Sequence, residues 1–331
     1  MKRFILMFIV VSLAFIFIAC GNNSETDGEA SENTSEDSGT NTNNTESAED
    51  NGVIGMTVLD LGNPFFVQLT EVVGELAEAE GYTLNVNDPR DDVNSQVDAI
   101  QDFISQGVDA IIVTATDQNV INEAIQEAKD AGIPVVAHTT KLENADAWVG
   151  ADEYSMGLAL GQQAGEWILE NHSGDGEVGI LNFDQIEQVI QRKEGIIDGI
   201  HEHAPNVEVV ADQQAGDPNS GYNVAEGFIQ ANPDLVGIFG INDAGALGAY
   251  NAAVGAGKDS DAFAVGGIDA VPEAVEAIKE DGIYKFTVDQ QPGVTGQTLF
   301  EKAFALINGE AVEEETEIEV KAVNSSNIDE Y

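Results

Sequence analysis

Short apolar runs alternate with amphipathic stretches along this chain from residue 52 to the C-terminus. The first pair shows the pattern: residues 53–59 are apolar almost throughout, whereas the apolar side chains of residues 65–80 recur at helical spacing. The same alternation continues to a helix predicted at 293–308 and a strand predicted at 316–323. Short buried strands separated by one-sided helices predict parallel sheets that carry helices on both faces.

The alternating region is long for a single sheet. It covers residues 52–331, and single domains rarely exceed about 250 to 300 residues. We therefore expect an α/β fold of two doubly wound lobes. A short strand predicted at 148–150 lies where the chain would first cross from one lobe to the other.

The N-terminus has the composition of a secretory signal. Lys2 and Arg3 precede a nearly unbroken apolar run at 4–19, which ends directly before Cys20. This ending resembles the lipobox of bacterial lipoproteins, in which the cysteine becomes the lipidated first residue, so we predict a lipoprotein signal peptide at 1–19. The alternative is an uncleaved anchor, for which the run is short, because a spanning helix needs about 20 apolar residues. Either interpretation places the mature chain outside the cytoplasm.

Residues 20–51 form the expected link to the folded part. The stretch after Cys20 contains nine acids, no base and almost nothing apolar. A segment of this composition cannot bury enough apolar surface to fold. We therefore predict a disordered acidic tether, held to the membrane at its lipidated cysteine. Cys20 is also the only cysteine in the sequence, which excludes an internal disulfide.

The charge of the chain is extreme, since 60 acids against 12 bases give a formal net charge of −48. Such a surface repels phosphates, which excludes nucleic acid as a partner. The acids are scattered along the predicted helices rather than gathered in one block. This distribution favours a surface adapted to concentrated salt over a docking site for a cationic partner. We therefore expect the source to be a halophile.

Polar side chains recur where predicted strands end. In an open α/β sheet, ligands bind beyond the carboxyl ends of the strands, and the polar residues at such ends are Asn63, Asn242, Asp243, Asp269 and Gln290. Amides and carboxylates can bond neighbouring hydroxyls, and the rings of Phe65 and Phe66 suit the C–H faces of a sugar or polyol. The alternative at each polar position is a helix cap, and for the two rings it is core packing.

Catalytic signatures are largely missing from the sequence. The single cysteine lies at the predicted lipid site, and the four histidines show no metal-binding spacing. There is no Gly-x-Ser-x-Gly elbow, P-loop or dinucleotide fingerprint, and no Asp-x-Asp-x-Asp-Gly calcium loop. We therefore predict a binding protein with no enzymatic activity, no cofactor and no metal ion.

Five motifs, in order along the chain, carry a resemblance to a known family. They are Asn63-Pro64-Phe65-Phe66, Ile133-Pro134-Val135-Val136, Phe239-Gly240-Ile241-Asn242-Asp243, Val265-Gly266-Gly267-Ile268-Asp269 and Gln290-Gln291-Pro292. Residues 52–323 thereby resemble the ribose/galactose-type periplasmic sugar-binding proteins (type I solute-binding proteins) that feed ABC importers. The resemblance implies two Rossmann-like lobes joined by a three-segment hinge.

The resemblance also implies domain boundaries and a set of ligand-binding residues. The crossovers fall near 151–153, 289–291 and 317–322, which places lobe 1 at 52–151 and 291–318 and lobe 2 at 152–290 and 319–331. The rings are expected to stack on the ligand and the polar groups to hydrogen-bond it. The residues so implied are Asn63, Phe65, Phe66, Asn242, Asp269 and Gln290.

Three parts of the ribose-type pattern are missing or moved. An Asp-Arg pair after the fourth strand is replaced by His138-Thr139-Thr140. An arginine ahead of a helix in lobe 2 aligns with Ile190, and an aromatic residue is missing near Gly216. The further possible ligand contacts are His138, Thr139, Thr140, Arg192 and Asp217. Residues on a nearby loop could replace the missing contacts, and these are Asp184, Gln185 and Gln188. A different sugar, or a less hydroxyl-rich solute, fits this set better than ribose.

We therefore expect an extracytoplasmic solute-binding protein, monomeric and attached to the membrane only through its lipid, that delivers a sugar-like molecule to an ABC permease. A chemoreceptor or other sensor is a further expected partner. One alternative is a sensor module of the same fold for a membrane kinase, and another is an exported α/β enzyme. A sugar-responsive transcription regulator is opposed by the signal segment and by the charge.

The acidic surface generates a prediction about salt. At about 1 M salt the Debye length is only about 3 Å, so repulsion among the acids is screened and the folded state gains stability. We expect the melting temperature of the purified protein to climb steadily as NaCl is raised from low to molar concentration. A melting temperature that stays flat over this range would contradict a halophilic adaptation.

Overall fold

The computed structural model describes residues 52–258 and 261–331, without the side chains of residues 187 and 188. The predicted signal peptide, the lipidation site Cys20 and the predicted tether all lie outside the described residues. Within the described part, no helix combines the length and the apolar character that crossing a membrane requires.

Strands and helices alternate through the described residues. In chain order the strands are β1 (Gly52–Thr57), β2 (Tyr82–Asn87), β3 (Ala110–Thr114), β4 (Val135–His138), β5 (Ala147–Gly150), β6 (Asp175–Asn182), β7 (Asn206–Gln214), β8 (Leu235–Gly240), β9 (Ala264–Gly266), β10 (Tyr284–Asp289), β11 (Glu315–Glu317) and β12 (Lys321–Asn324). The helices are α1 (Pro64–Ala79), α2 (Val93–Gln106), α3 (Gln118–Asp130), α4 (Glu153–His172), α5 (Glu187–His203), α6 (Pro218–Ala231), α7 (Asp243–Gly255), α8 (Pro272–Lys279) and α9 (Pro292–Ile307). A short 3-10 turn, Ile328–Glu330, follows the last strand.

The strands form two six-stranded sheets, one in each lobe. The first has the order β2-β1-β3-β4-β5-β11 and the second the order β7-β6-β8-β9-β10-β12. Neighbouring strands run parallel except β10 and β12, which are antiparallel. The strand order reverses beside β1 in one sheet and beside β6 in the other, which makes both sheets doubly wound. The predicted two-lobed α/β fold is confirmed.

The chain passes between the lobes three times. It leaves the first sheet at β5, and α4 then packs on the second sheet; it leaves the second sheet at β10, and α9 then packs against α1. The third crossing joins β11 of the first sheet to β12 of the second. Three short backbone segments, 151–152, 290–291 and 318–320, therefore connect the lobes.

One predicted element is wrong. We predicted a single strand at 316–323, but the structure has two short strands, β11 and β12, in different sheets. Acidic or basic residues alternate with apolar ones from Glu317 to Ala322, which is the pattern of one half-buried strand. This alternation carries no information about the neighbouring strand. In the fold, the segment leaves one sheet after Glu317 and enters the other at Lys321.

Apolar cores cover both faces of each sheet. In the first lobe, one cluster joins the sheet to α1 and α9 and contains Leu69 and Leu299. The other cluster joins the sheet to α2 and α3 and contains Ile100 and Ile125. Two corresponding clusters flank the second sheet. The central strand β3 is buried at every residue, which explains its continuous apolar sequence.

Two helices begin at asparagine caps in the loops that follow β1 and β8. The Asn63 side chain accepts a hydrogen bond from the Phe65 N–H at 2.9 Å, with Pro64 at the first helical position. The Asn242 side chain accepts one from the Gly245 N–H, also at 2.9 Å. The chain thus turns sharply from strand to helix, which places both caps at the carboxyl edge of a sheet.

Helices α4 and α5 pack backbone against backbone. A Cβ atom added at Gly157 would lie 1.8 Å from the carbonyl oxygen of Arg192, and one added at Gly161 would lie 2.2 Å from the carbonyl oxygen of Ile196. Only a residue without a side chain permits so close an approach. The contact therefore sets the position of the α5 turn that carries Arg192.

The helix contact predicts opposite effects for two Gly→Ala substitutions. Gly157→Ala should lower the free energy of unfolding by about 1–3 kcal/mol, because the new methyl group displaces the α5 backbone. Gly227→Ala is the matched control: Gly227 lies within α6, and a Cβ atom there meets nothing within 4 Å. This control should gain about 0.5–1 kcal/mol. Denaturant unfolding at one salt concentration measures the stability change of both variants. A Gly157→Ala protein of unchanged stability would contradict the close contact.

Candidate functional site

A cavity of about 420 Å³ lies between the two lobes. Its walls come from residues that follow β1, β2 and β4 in the first lobe and β6, β7, β8 and β9 in the second, together with the hinge residue Gln290. The volume falls within the range of small-molecule sites, about 300 to 1,000 Å³. The position, beyond the carboxyl ends of parallel strands, is the one at which open α/β sheets bind ligands.

The structure brings the six residues implied by the family resemblance to this one cavity. Three lie at the start of α1, and the other three follow β8, β9 and β10: they are Asn63, Phe65, Phe66, Asn242, Asp269 and Gln290. The strand-end pattern in the sequence therefore identified residues of a single cavity, and their role in binding stays a prediction.

The further candidates divide into two groups. Those that line the cavity are Thr139, Arg192 and Asp217, and those that are not among its lining residues are His138, Thr140, Asp184 and Gln185. Asp184 instead pairs with Lys193 at 2.5 Å. The side chain of Gln188 lies outside the described part of the chain. Asp217 has a second role, because its carboxylate accepts hydrogen bonds from two N–H groups of α6 and caps that helix.

Aromatic rings form part of the cavity wall. Phe65 and Phe66 make an edge-to-face pair with centroids 5.2 Å apart. Both rings are more than nine-tenths buried, so they serve the core of the first lobe as well as the cavity. Phe183, which follows β6 in the second lobe, adds a third ring.

His138 supports this wall from behind. Its ring stacks on Phe65 with centroids 6.0 Å apart, and its Nδ1 lies 2.9 Å from the hydroxyl oxygen of Thr114. Burial, and then the charge of Arg192, lowers the pKa of His138 to about 3. The imidazole is therefore neutral at physiological pH and acts as a flat packing surface.

Asn242 uses both ends of its amide to shape the second lobe. Its oxygen caps α7, and its nitrogen donates to the carbonyl oxygen of Gly216 at 2.8 Å. The helix-cap interpretation of this residue is therefore correct, and Asn242 also lines the cavity. One N–H and one lone pair of the amide remain for a ligand.

Asp269 is incompletely hydrogen-bonded among the described residues. Its side chain is buried, its Oδ1 accepts a hydrogen bond from Gln290 at 2.5 Å, and its Oδ2 has no hydrogen-bond partner among the described residues. Its backbone has a φ of 135°, which residues with a side chain rarely adopt. Such strain concentrates at functional sites, where the surrounding structure must hold it in place.

The surroundings of Asp269 favour its protonated form. Burial, and then the neighbouring carboxylate of Asp243, raises the pKa of Asp269 to about 8. Arg192 and the amides of Gln290 and Asn63 act in the opposite direction.

Asp243 lies behind the site and holds three elements together. It is fully buried at the start of α7 and accepts hydrogen bonds from the Tyr284 hydroxyl at 2.6 Å, the Thr287 hydroxyl at 2.9 Å and the Val271 N–H at 3.1 Å. Burial raises its pKa to about 6, against the effect of these donors. Asp243 therefore fixes α7, β10 and the turn after Asp269 in one arrangement.

Arg192 reaches the cavity from α5 and is held by a buried ion pair. Its Nε lies 2.6 Å from Oε2 of Glu153, and its Nη1 donates to the carbonyl oxygen of Ile241 at 2.7 Å. Burial would lower the pKa of Arg192, but Glu153, with a smaller contribution from Asp269, outweighs it and raises the pKa. The other oxygen of Glu153 has no hydrogen-bond partner in the described part of the chain.

Sequence reasoning missed several residues of the site. Asp60 and Asp91 line the cavity after β1 and β2, and the strand-end rule alone could have found them. Glu153 was missed because nothing local links it to Arg192, which lies 39 residues away. Within the described residues, no group of His, Cys, Asp and Glu side chains has an arrangement that could hold a metal ion.

Three comparisons with known proteins agree. Residues 54–311 match the model of the periplasmic binding protein domain family. The ribose import binding protein RbsB of Bacillus subtilis is 30% identical over 264 residues, which cover 78% of this chain and 83% of that protein. RbsB of Salmonella typhimurium is also 30% identical, over 82% of this chain and 90% of that protein.

Solved structures show the same architecture. An ABC transporter solute-binding protein from Bacillus halodurans with bound myo-inositol is 29% identical, with a TM-score of 0.76 over 87% of this chain and 99% of that chain. A periplasmic solute-binding protein from Actinobacillus succinogenes with bound D-allose is 27% identical, with a TM-score of 0.77 over 85% of this chain and 100% of that chain.

The raised pKa of Asp269 predicts how stability depends on pH. At Asp269 the folded state binds a proton more tightly than the unfolded state, in which the carboxyl has its ordinary pKa of 3.8. This residue therefore makes the free energy of unfolding fall as the pH rises from 3.8 to about 8. Asp269→Asn removes the ionisable group. The variant should therefore gain stability relative to wild type as pH rises over this window, by more than about 1 kcal/mol in total.

Denaturant unfolding of wild type and variant across this pH range tests the effect, because contributions from other groups such as His138 largely cancel in the difference. Asp102→Asn, on the exposed face of α2, is the control and should show no such trend. A wild-type-minus-variant difference that is independent of pH would contradict the buried, proton-binding state of Asp269.

Proposed function

Because this chain belongs to the periplasmic binding protein family, among the ribose/galactose-type sugar-binding proteins of ABC importers, we propose that it is an extracytoplasmic receptor for a sugar or sugar-like molecule. The family consists of solute-binding proteins rather than enzymes. The receptor would hand its ligand to an ABC permease in the cell membrane. The predicted signal peptide and Cys20 add to this proposal a lipid anchor, with a monomer held near the permease by the acidic tether.

One observation carries the proposal: rings and polar groups from both lobes surround the same cavity. Phe65 and Phe66 offer flat apolar surface from the first lobe. Asn242 and Asp269 offer an amide and a carboxylate from the second, with Gln290 between them in the hinge. Flat apolar surface against one face of a ring and hydrogen-bonding groups around its edge are what a sugar or cyclic polyol requires.

The polar groups narrow the class of ligand. The Asp-Arg pair of ribose-type sites is replaced here, and Thr139 is the only residue of the replacing segment that lines the cavity. Arg192 lines the cavity, but its Nε is engaged by Glu153. We therefore favour a hexose or a cyclic polyol over ribose, and the D-allose and myo-inositol bound by the similar structures support this choice.

Binding would be coupled to closure of the lobes. The cavity has walls from both lobes, and the three connecting segments are short enough to act as a hinge. A ligand that contacts both walls stabilises the closed form, because only that form makes both sets of contacts. The closed form is the one that the permease, or a chemoreceptor as a second partner, would recognise.

A thermal-shift screen in molar salt tests the proposed class of ligand. The panel holds hexoses, pentoses, cyclic polyols, amino acids and nucleosides. A ligand at a hundred times its Kd adds about 2.7 kcal/mol to stability, which is enough to shift the melting temperature by several degrees. Shifts with hexoses or polyols support the proposal, whereas shifts only with amino acids or nucleosides would overturn it.

The ring contacts predict the effect of Phe66→Leu on the ligand found in that screen. Loss of the ring face should weaken binding by up to about tenfold, or about 1.4 kcal/mol, because leucine offers the C–H groups of a sugar no flat surface. Phe304→Leu is the matched control, because Phe304 stacks on Phe300 at 5.6 Å in the core of the first lobe and does not line the cavity. Titration calorimetry should show weaker binding only for Phe66→Leu, and equal affinities for both variants would remove Phe66 from the ligand contacts.

A further inference from the structure

The walls of the cavity carry an excess of negative charge. Four carboxylates line it, Asp60 and Asp91 from the first lobe and Asp217 and Asp269 from the second. The only basic side chain in the lining is Arg192, and the buried carboxylate of Glu153 already balances its charge. Asp60, Asp91 and Asp217 therefore present negative charge to the cavity, and the one basic residue among the described lining residues is already paired.

These acids lie at two depths. Asp91 and Asp217 are exposed at the mouth, on opposite lobes, whereas Asp269 is buried at the base. Although the residue is exposed, its carboxyl is partly desolvated, and this desolvation, followed by the charges of Asp60, Asp88 and Asp217, raises the pKa of Asp91 to about 6. Closing the lobes thus brings like charges together at the mouth, which costs free energy unless a cation enters between them.

The acids at the mouth have a simple alternative explanation that the acid at the base does not share. Exposed acids occur all over a chain with a net charge of −48, where they hold water. Asp269 is only 2% exposed and cannot serve surface hydration. Asp269 lines the cavity, and its Oδ2 has no hydrogen-bond partner in the described part of the chain. A buried acceptor without a hydrogen-bond donor costs free energy, unless a bound ligand supplies the missing donor.

A neutral hydroxyl satisfies Asp269 only in part. The groups that face this carboxyl are Asp243 on α7, Tyr284 on β10, Arg192 on α5, Gln290 in the hinge and Asn63 from the first lobe. Among them Arg192 is already paired, and Asp243 repels a second negative charge. A hydroxyl donates one hydrogen bond but brings no charge. An ammonium group brings both a hydrogen-bond donor and a positive charge, and such charge-assisted bonds are roughly twice as strong.

The aromatic rings of the lining favour the same ligand. Phe65, Phe66 and Phe183 contribute to the cavity wall. The face of an aromatic ring attracts a cation at close range, and desolvated sites strengthen this attraction. Rings that suit the C–H face of a sugar therefore also suit a sugar that carries an ammonium group.

We propose that the ligand is a cationic sugar derivative, an amino sugar or amino cyclitol, whose ammonium group binds Oδ2 of Asp269 at the base of the cavity. This inference rests on the proposed function and names the chemical class of its solute. The carboxylates of Asp91 and Asp217 attract the cation to the mouth and close over it. The ring of the ligand lies against the phenylalanines, and its hydroxyls face the amides.

The test compares sets of ligands that differ only in the amine. Each set holds an amino sugar, its parent sugar and its N-acetyl derivative, and a second series holds an amino cyclitol and its parent cyclitol. Titration calorimetry with the purified full-length protein near neutral pH should show the amine binding at least tenfold more tightly than both neutral analogues in at least one set, a difference of about 1.4 kcal/mol or more.

Salt and protons provide two further signatures. From about 0.1 to about 1 M NaCl, affinity for the amine should fall, whereas affinity for the neutral analogue should rise or stay constant, because salt screens both the attraction and the repulsion at the mouth. The amine should also displace the proton of Asp269. Repeating the titration in buffers of different ionisation enthalpy should show proton release for the amine and none for its parent.

Asp269→Asn separates the proposed contact from general charge effects. The variant keeps the shape of the side chain but cannot carry its charge, so the ratio of the amine affinity to the parent-sugar affinity should fall to about one and the release of a proton should disappear. Asp102→Asn, an exposed acid outside the cavity, should keep both. If Asp269→Asn fails to fold, the comparison of ligands on the wild-type protein decides by itself.

The outcomes distinguish this inference from the proposed function. Parent sugars or polyols that bind as tightly as their amines, or more tightly, would overturn the inference and leave the proposed function in place. If neither amines nor neutral sugars nor polyols bind, the proposed function fails with it. An amine preference that persists in Asp269→Asn would overturn the assignment of the ammonium group to this carboxylate.

Discussion

The carboxyl ends of the parallel strands in both sheets face one cleft, and the rest of the site depends on this arrangement. A parallel strand that leads directly into a helix leaves its next residue at the sheet edge, where it can cap the helix, contact a ligand or do both. Asn63 and Asn242 each cap a helix and also line the cavity. Gln290, in one of the three chain crossings, links the same cavity to the hinge.

The second lobe buries four ionisable side chains near the cavity, and they are satisfied to different degrees. Asp243 has three hydrogen-bond donors, and Arg192 and Glu153 have each other. Asp269 accepts a hydrogen bond from Gln290 and has a strained backbone, and among the described residues its Oδ2 has no partner. A buried charge normally has its partners within the protein. Glu153 also has an oxygen without a partner in the described part of the chain, but only Asp269 of these two acids lines the cavity, where a ligand could supply the missing donor.

The positions where strands end predicted most of the cavity residues that the sequence analysis named. The errors of that analysis have physical causes. The strand-end rule found Asp269 and Gln290 because caps and strand boundaries are local features. The comparison with the ribose-type pattern suggested His138, but successive side chains of a strand point to opposite sides, and this ring lies behind Phe65. Asp91 was overlooked because, on so acidic a chain, composition does not distinguish an acid at a cavity mouth from an acid in water.

The sequence by itself determined the alternating elements, the two doubly wound lobes and the sheet edge that carries the polar residues, because hydrophobic periodicity and helix caps depend on neighbours in the chain. Only the tertiary structure decided that residues 315–324 divide between two sheets, that Glu153 pairs with Arg192 and that Asp269 is buried without a full set of partners. Each of these depends on residues that are distant in sequence, and the energy of a buried charge is set by whatever the fold brings next to it.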